Sequence, residues 1–183
     1  PRGVLEAVSF KMTHFSHINE TIPQSCFGLP RVSGVMGLTE DGEGYFRNNL
    51  NLVSQLSGYS LTDIKANPQI NILAYAAAYN QLLVDMAISP TDINEHDRII
   101  TALSEIPLDH NPANNFAMNS RIYGIFSLLK KLNVSVSPNI DLVSIFGSNN
   151  LRVLSSGAIT VQGGNISSNN GTGCSKQELE IAI

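Results

Sequence analysis

Residues Cys26–Tyr45 read CFGLPRVSGVMGLTEDGEGY, and the rest of the chain is read outward from them. The stretch is rich in glycine, holds one proline at Pro30 and carries the apolar string GVMGL at Gly34–Leu38. A connection this long inside a compact domain is uncommon unless it is a working loop or an unstructured one. Val32, Val35, Met36 and Leu38 make it too apolar for an unstructured segment. The expectation is an ordered loop packed on helices and lining a groove.

Helical patterns flank it. In Gly3–Phe15, GVLEAVSFKMTHF, the residues Val4, Val8, Met12 and Phe15 recur at helical spacing, with Glu6, Ser9 and Thr13 on a more polar side. Gly42–Gly58 reads as a second helix with a stripe of Tyr45, Phe46, Asn49, Leu50, Val53 and Leu56, stopped by Gly58. Ser60 and Asp63 form a capping box with Asp in place of Glu, opening a short helix to Ala66. Asn67-Pro68 starts a long helix, PQINILAYAAAYNQLLVDMAI, with proline in its first turn. Being apolar nearly all round, this helix is expected to be buried and central. Thr91 or Asp92 caps the next helix, INEHDRIITALSEI, which Pro107 ends. Ala113–Leu132 is a fifth major helix.

Beyond Asn133 the character changes. NVSVSPNIDLVSIFGSNN alternates β-branched residues, and LRVLSSGAITVQ has strand composition. GGNISSNNGTG reads as a flexible polar linker. The expected organisation is a helical domain over residues 1–132, a short strand-containing extension over 133–162, and a linker with the start of a further element over 163–183. The expected class is therefore mainly α with a short β-containing C-terminal extension.

The 183 residues suffice for one good core. At 43% hydrophobic and 14% charged the chain is globular, and a net charge of −4 argues against a broad nucleic-acid footprint. No apolar run reaches the length of a membrane-spanning helix. Starting at Pro1 and stopping on QELEIAI, the chain reads as part of something longer, from which an export signal could have been removed. Cys26 and Cys174 fit no metal-ligand spacing; they either form one disulfide in an exported protein or remain two thiols. Asn19, Asn133, Asn165 and Asn170 each open an Asn-x-Ser/Thr triplet, as chance gives in so Asn-rich a chain.

A first helix with an aromatic near its end, a GVMGL loop and then NPQINILAYAAAYNQLL resembles the lysozyme-like fold of lytic transglycosylases and goose-type lysozymes. In that family a helix ends in Glu-Ser-x-Phe and a Gly-Leu-Met-Gln loop follows. A later helix carries a Pro…Asn-Ile…Tyr-Leu pattern. Gly34, Met36, Gly37 and Leu38 match the loop, and Pro68, Asn71, Ile72 and Tyr79 match the later helix. SGVMGLT at Ser33–Thr39 is similar, more closely, to a loop in the N-terminal region of exported Bacteroidetes N-acetylmuramoyl-L-alanine amidases. The resemblance implies a lysozyme-like helical domain and export to the periplasm, outer membrane or exterior. It also implies contact with peptidoglycan glycan strands through Gly34, Met36, Gly37, Leu38, Thr39, Tyr45 and Tyr79. It implies no cofactor in this segment and a zinc amidase domain downstream of Ile183.

One departure from the family weighs more than the match. Aligning Phe15 with the family's phenylalanine puts Met12 at the position of the catalytic Glu and Thr13 at the Ser. A thioether cannot protonate a glycosidic oxygen, a step that needs a carboxylic acid of raised pKa beside the bond. By spacing alone Met12 is also a core residue, and both readings can hold. Glu20 is the substitute acid to test, or else an exposed loop carboxylate. Glu40, Asp41 and Glu43 could bind a cation or a sugar hydroxyl, or simply favour the start of the second helix. His14 and His17 have the spacing of a metal pair without a third ligand nearby. Tyr45, Tyr75 and Tyr79 either stack on sugars or pack in the core. Three functions follow: a glycan-binding module that has lost its acid, an active muramidase or transglycosylase using Glu20 with Glu40 or Asp41 assisting, and a structural subunit of an envelope assembly.

Overall fold

The first helix forms where its spacing predicts. In the computed structural model, which describes residues 3–19, 30–41, 44–132 and 140–156, α1 spans Val4–Thr13 and buries Val4, Ala7, Val8, Ser9 and Thr13. His14 and Phe15 end it, both at positive φ (52° and 63°).

The central stretch is a hairpin. β1 (Arg31–Ser33) pairs antiparallel with β2 (Leu38–Glu40) in the register Arg31–Glu40, Val32–Thr39 and Ser33–Leu38. The turn between them is Gly34-Val35-Met36-Gly37, and Gly34 also bridges back to Ile18. Both glycines are required. Gly34 lies at φ 73° and a Cβ there would stand 2.0 Å from Asn71 Nδ2. Gly37 lies at φ 65° and a Cβ there would stand 2.6 Å from Met12 Cβ. L-residues other than glycine rarely adopt this backbone, and no side chain fits the space.

Among the described residues six α-helices follow on. α2 is Asn49–Ser57, shorter than the expected Gly42–Gly58, because Asn48 is its cap: the Asn48 side chain accepts from the Asn51 N–H. Residues just before it are pinned otherwise, Phe46 N–H donating to Asp41 and Arg47 N–H to the Glu105 carbonyl. α3 (Leu61–Ala66) opens on Ser60, whose hydroxyl accepts from the Asp63 N–H and donates to the Asp63 carboxylate, as the capping box predicts. α4 (Pro68–Asp85) starts at the Asn67 cap. It is not buried all round: Asn71, Ala74, Tyr75, Ala78, Tyr79 and Leu82 face the core, while Leu73 and Val84 are exposed. α2, α3 and α5 pack against it. The single helix expected over Ile93–Ile106 splits into a 3-10 turn, Ile93–Glu95, and α5, Asp97–Ala102. The break sits at fully buried His96. α6 (Pro112–Lys131) is capped by Asn111, with Pro112 in its first turn and Lys130 and Lys131 at its negative end.

Among the described residues the fold is mainly α with one small two-stranded sheet, which lies in the hairpin. Strand character was expected at the C-terminal side, but Leu142–Leu154 is a helix, α7, broken at Gly147. The Asp141 side chain accepts from the Val143 and Ser144 N–H groups and so starts it, and Phe146 packs edge-on against Tyr123 of α6. The rest of the expected extension and linker, 133–139 and 157–183, lies outside the described residues, as do Cys26 and Cys174. Phe126, Ile125, Leu129, Leu50, Val53, Ile64 and Ile99 form the innermost core. Full burial of such a side chain contributes about 1.5–3 kcal/mol.

Candidate functional site

The site to be judged is the hairpin turn where it meets α1 and α4. Three polar side chains from three helices hold it. The Thr13 hydroxyl, at the end of α1, donates to the Val35 carbonyl at 2.6 Å and lies 3.1 Å from the Ser9 carbonyl. Asn71 of α4, fully buried, accepts from the Met36 N–H at 2.8 Å and donates to the Ile64 carbonyl at 3.0 Å. Asn49 of α2 accepts from the Thr39 N–H at 2.6 Å and donates to the Leu103 carbonyl at 2.8 Å. A three-residue strand pair cannot satisfy its own turn, so these side chains supply the missing partners. Asn49 and Asn71 were legible as polar residues on otherwise apolar helix faces; Asn49 entered the sequence reading only as part of a stripe.

Met12 lies directly over the turn. Its side chain covers Gly37, the closest atom being the one that a Cβ on Gly37 would strike. The space left between α1, the turn and α6 is about 10 Å³, bounded by Met12, Met36, Gly37, Asn49, Tyr75 and Arg121 among others. That is room for one water at most, whereas small-molecule sites run to roughly 300 Å³ and above. The expected groove is therefore closed at this point, and none of the residues bounding it is a carboxylic acid. Arg121 donates to the Ser104 hydroxyl at 2.8 Å and forms a two-pronged ion pair with Glu105. Burial pushes the Tyr75 phenol well above its ordinary value, with Arg121 pulling it down and Glu105 adding to the rise, so Tyr75 is neutral.

The residues expected to contact a glycan separate into two groups. Gly34, Met36, Gly37, Leu38 and Thr39 are buried in the turn and β2, and Tyr79 is 5% exposed. The Tyr79 hydroxyl contacts His96 Nδ1 at 2.6 Å, and His96 Nε2 contacts the Ser89 carbonyl at 3.0 Å. A carbonyl only accepts, so Nε2 carries the proton and Nδ1 receives the Tyr79 hydroxyl's. Tyr45 is different: the residue is 54% exposed. Glu20 and Glu43 lie outside the described residues. Glu40 pairs with Lys65, and Asp41 accepts from the Phe46 N–H, so neither starts α2. His14 is exposed at the end of α1, and no group of three His, Cys, Asp or Glu residues that could hold a metal ion occurs among the described residues. Nor, among them, is any helix long and apolar enough to cross a membrane.

An open depression of about 180 Å³ lies between α1 and α4, walled by Val4, Leu5, Ala76, Tyr79, Asn80 and Leu83. It is apolar and carries no acid–base pair. No protein-family model, curated protein or solved structure matches this chain.

Proposed function

We propose that this chain is a peptidoglycan-associated module of an exported cell-wall hydrolase, of the N-acetylmuramoyl-L-alanine amidase kind, that holds glycan strands without cutting them. The observation that carries this is the seating of Met12 on Gly37, with Thr13 beside it bonded to Val35. In the lysozyme-like arrangement that the sequence resembles, this is the corner where a helix end delivers a carboxylic acid to a sugar bond. Here a thioether fills the corner and the cavity beside it is too small for a pyranose. Sulfur of this kind neither donates nor accepts the proton that glycoside cleavage moves. The polar fastening of the turn by Asn49, Asn71 and Thr13 supports a scaffold kept in shape for binding.

Co-sedimentation with purified insoluble peptidoglycan tests the reading. The chain should pellet with the polymer at moderate salt and remain soluble without it. Failure to pellet at every salt concentration tried would contradict it.

A further inference from the structure

One exposed cluster outside the turn has the chemistry of a saccharide subsite. Tyr45 stands before α2 with 54% of its surface exposed. Its hydroxyl lies 3.3 Å from Asn114 Oδ1 and 3.2 Å from Asn114 Nδ2, across the gap to the first turns of α6. Phe46 meets the ring edge-on, with centroids 5.0 Å apart and planes at 85°. The ring is thus held at both its hydroxyl and its flank, and needs no ordering when a ligand covers it. Asn114, buried to 9% exposure, in turn donates to both carboxylate oxygens of Asp109 at 3.0 Å.

Asp109 is not needed to cap α6. Asn111 does that, accepting from the Ala113 N–H at 2.9 Å. The Asp109 carboxylate also accepts from the Asn111 N–H, through Oδ1. These bonds, the Asn114 one foremost, hold its pKa below the usual carboxylate range. Asp109 is solvent-exposed. A carboxylate has about four acceptor positions, so Oδ2, with a single donor from Asn114, has capacity to spare. An aromatic face, a fixed amide and an ionised acceptor side by side match the two surfaces of a pyranose: its apolar C–H face and its ring of hydroxyl donors.

We infer that Tyr45, Asn114 and Asp109 form a surface subsite for one pyranose unit, with the sugar stacked on Tyr45 and a hydroxyl or N-acetyl N–H donating to Asp109 Oδ2. This rests on the glycan-binding reading above and names where on the molecule that binding occurs. It takes the ligand away from the closed turn and onto the surface between the hairpin and α6.

The test uses the full chain with two probes, the soluble tetramer of N-acetylglucosamine in titration calorimetry and insoluble peptidoglycan in sedimentation. Tyr45→Ala should weaken both by about ten-fold or more, and Asp109→Asn by about three- to ten-fold, the worth of a stacking face and of one charge-assisted hydrogen bond. Tyr45→Phe keeps the face and loses only the tether, so it should lose less than Tyr45→Ala. Tyr45→Ala and Asp109→Asn each disturb a bond to buried Asn114, so both should melt below the parent yet stay folded at the titration temperature, and Tyr45→Phe, which loses the same hydroxyl, controls for that loss. If the parent binds either probe and Tyr45→Ala binds it equally well, the subsite is overturned and glycan binding stands. If the parent binds neither, both inferences fall.

Discussion

The hairpin at residues 31–40 is fastened by Thr13 and Asn71 at its turn and by Asn49 at β2, whereas the interior around Ile125, Phe126 and Leu129 is fastened by apolar side chains. The two kinds of fastening fail differently. Apolar contact is graded and shared among many neighbours, so its loss is felt across the whole fold. A buried amide bonded at both ends is directional. Removing it strands a donor and an acceptor at particular atoms, here the Met36 N–H and the Ile64 carbonyl. The hairpin is thus the part of the molecule whose position is set by individual bonds.

The largest expected effects come from testing that contrast directly. Phe126→Ala should cost about 3–5 kcal/mol, as aromatic truncations in cores do. Asn71→Ala should cost about 2–4 kcal/mol, from two buried groups left without partners. Chemical denaturation gives both totals, and native-state hydrogen exchange separates them. Phe126→Ala should lower protection throughout the helices; Asn71→Ala should release the Met36 amide first. Equal loss of protection everywhere in both variants would erase the distinction.

A smaller effect sharpens the role of the turn. Gly37→Ala combines a positive φ with a Cβ placed 2.6 Å from Met12 Cβ, and should cost about 2–3 kcal/mol. Gly58→Ala, at φ 77° in the left-handed region but with nothing within 4 Å, carries only the backbone strain and should cost about 1 kcal/mol. If the two variants melt together, Met12 does not crowd the turn.

The smallest effect concerns the helical side, where one polar pair is buried. Burial lowers the His96 pKa, against smaller upward pulls from its bond to Ser89 and from Asp92 and Asp97. The unfolded chain then takes up a proton on His96, near its ordinary pKa of about 6.5, before the folded chain does. Stability should therefore be flat above that pH and decline as pH falls below it towards the folded pKa. Asp97, whose pKa burial raises, acts in the opposite sense at lower pH. Melting of His96→Gln across pH 5–7.5 should lack the decline; an unchanged slope would remove His96 as its source.

Much of the helical frame was legible in the residues. Ser60 with Asp63 and Asn67 with Pro68 start α3 and α4 because caps act locally, through bonds spanning two or three residues. The hairpin was not, since strands of three residues are too short to show alternation, and their partners, Asn49 and Asn71, lie far along the chain. The burial of α4 was overread because Leu73 and Val84 look the same in sequence whether covered or exposed. α7 was misread because its start depends on the single capping side chain of Asp141. At the candidate site, the sequence singled out GVMGL and its order, and the structure packs it as a closed turn; the seating of Met12 and the pairing of Tyr45 with Asn114 depend on side chains brought together by the fold.

The proposed function puts a thioether, Met12, where glycoside cleavage would need an acid. Its most direct test is chromatography of the soluble fraction after prolonged incubation of the chain with purified peptidoglycan. The account predicts no released muropeptides and no new reducing ends, with the protein recovered on the polymer. Soluble sugar fragments, abolished by Glu20→Gln at unchanged melting temperature, would contradict it and make Glu20 the working acid.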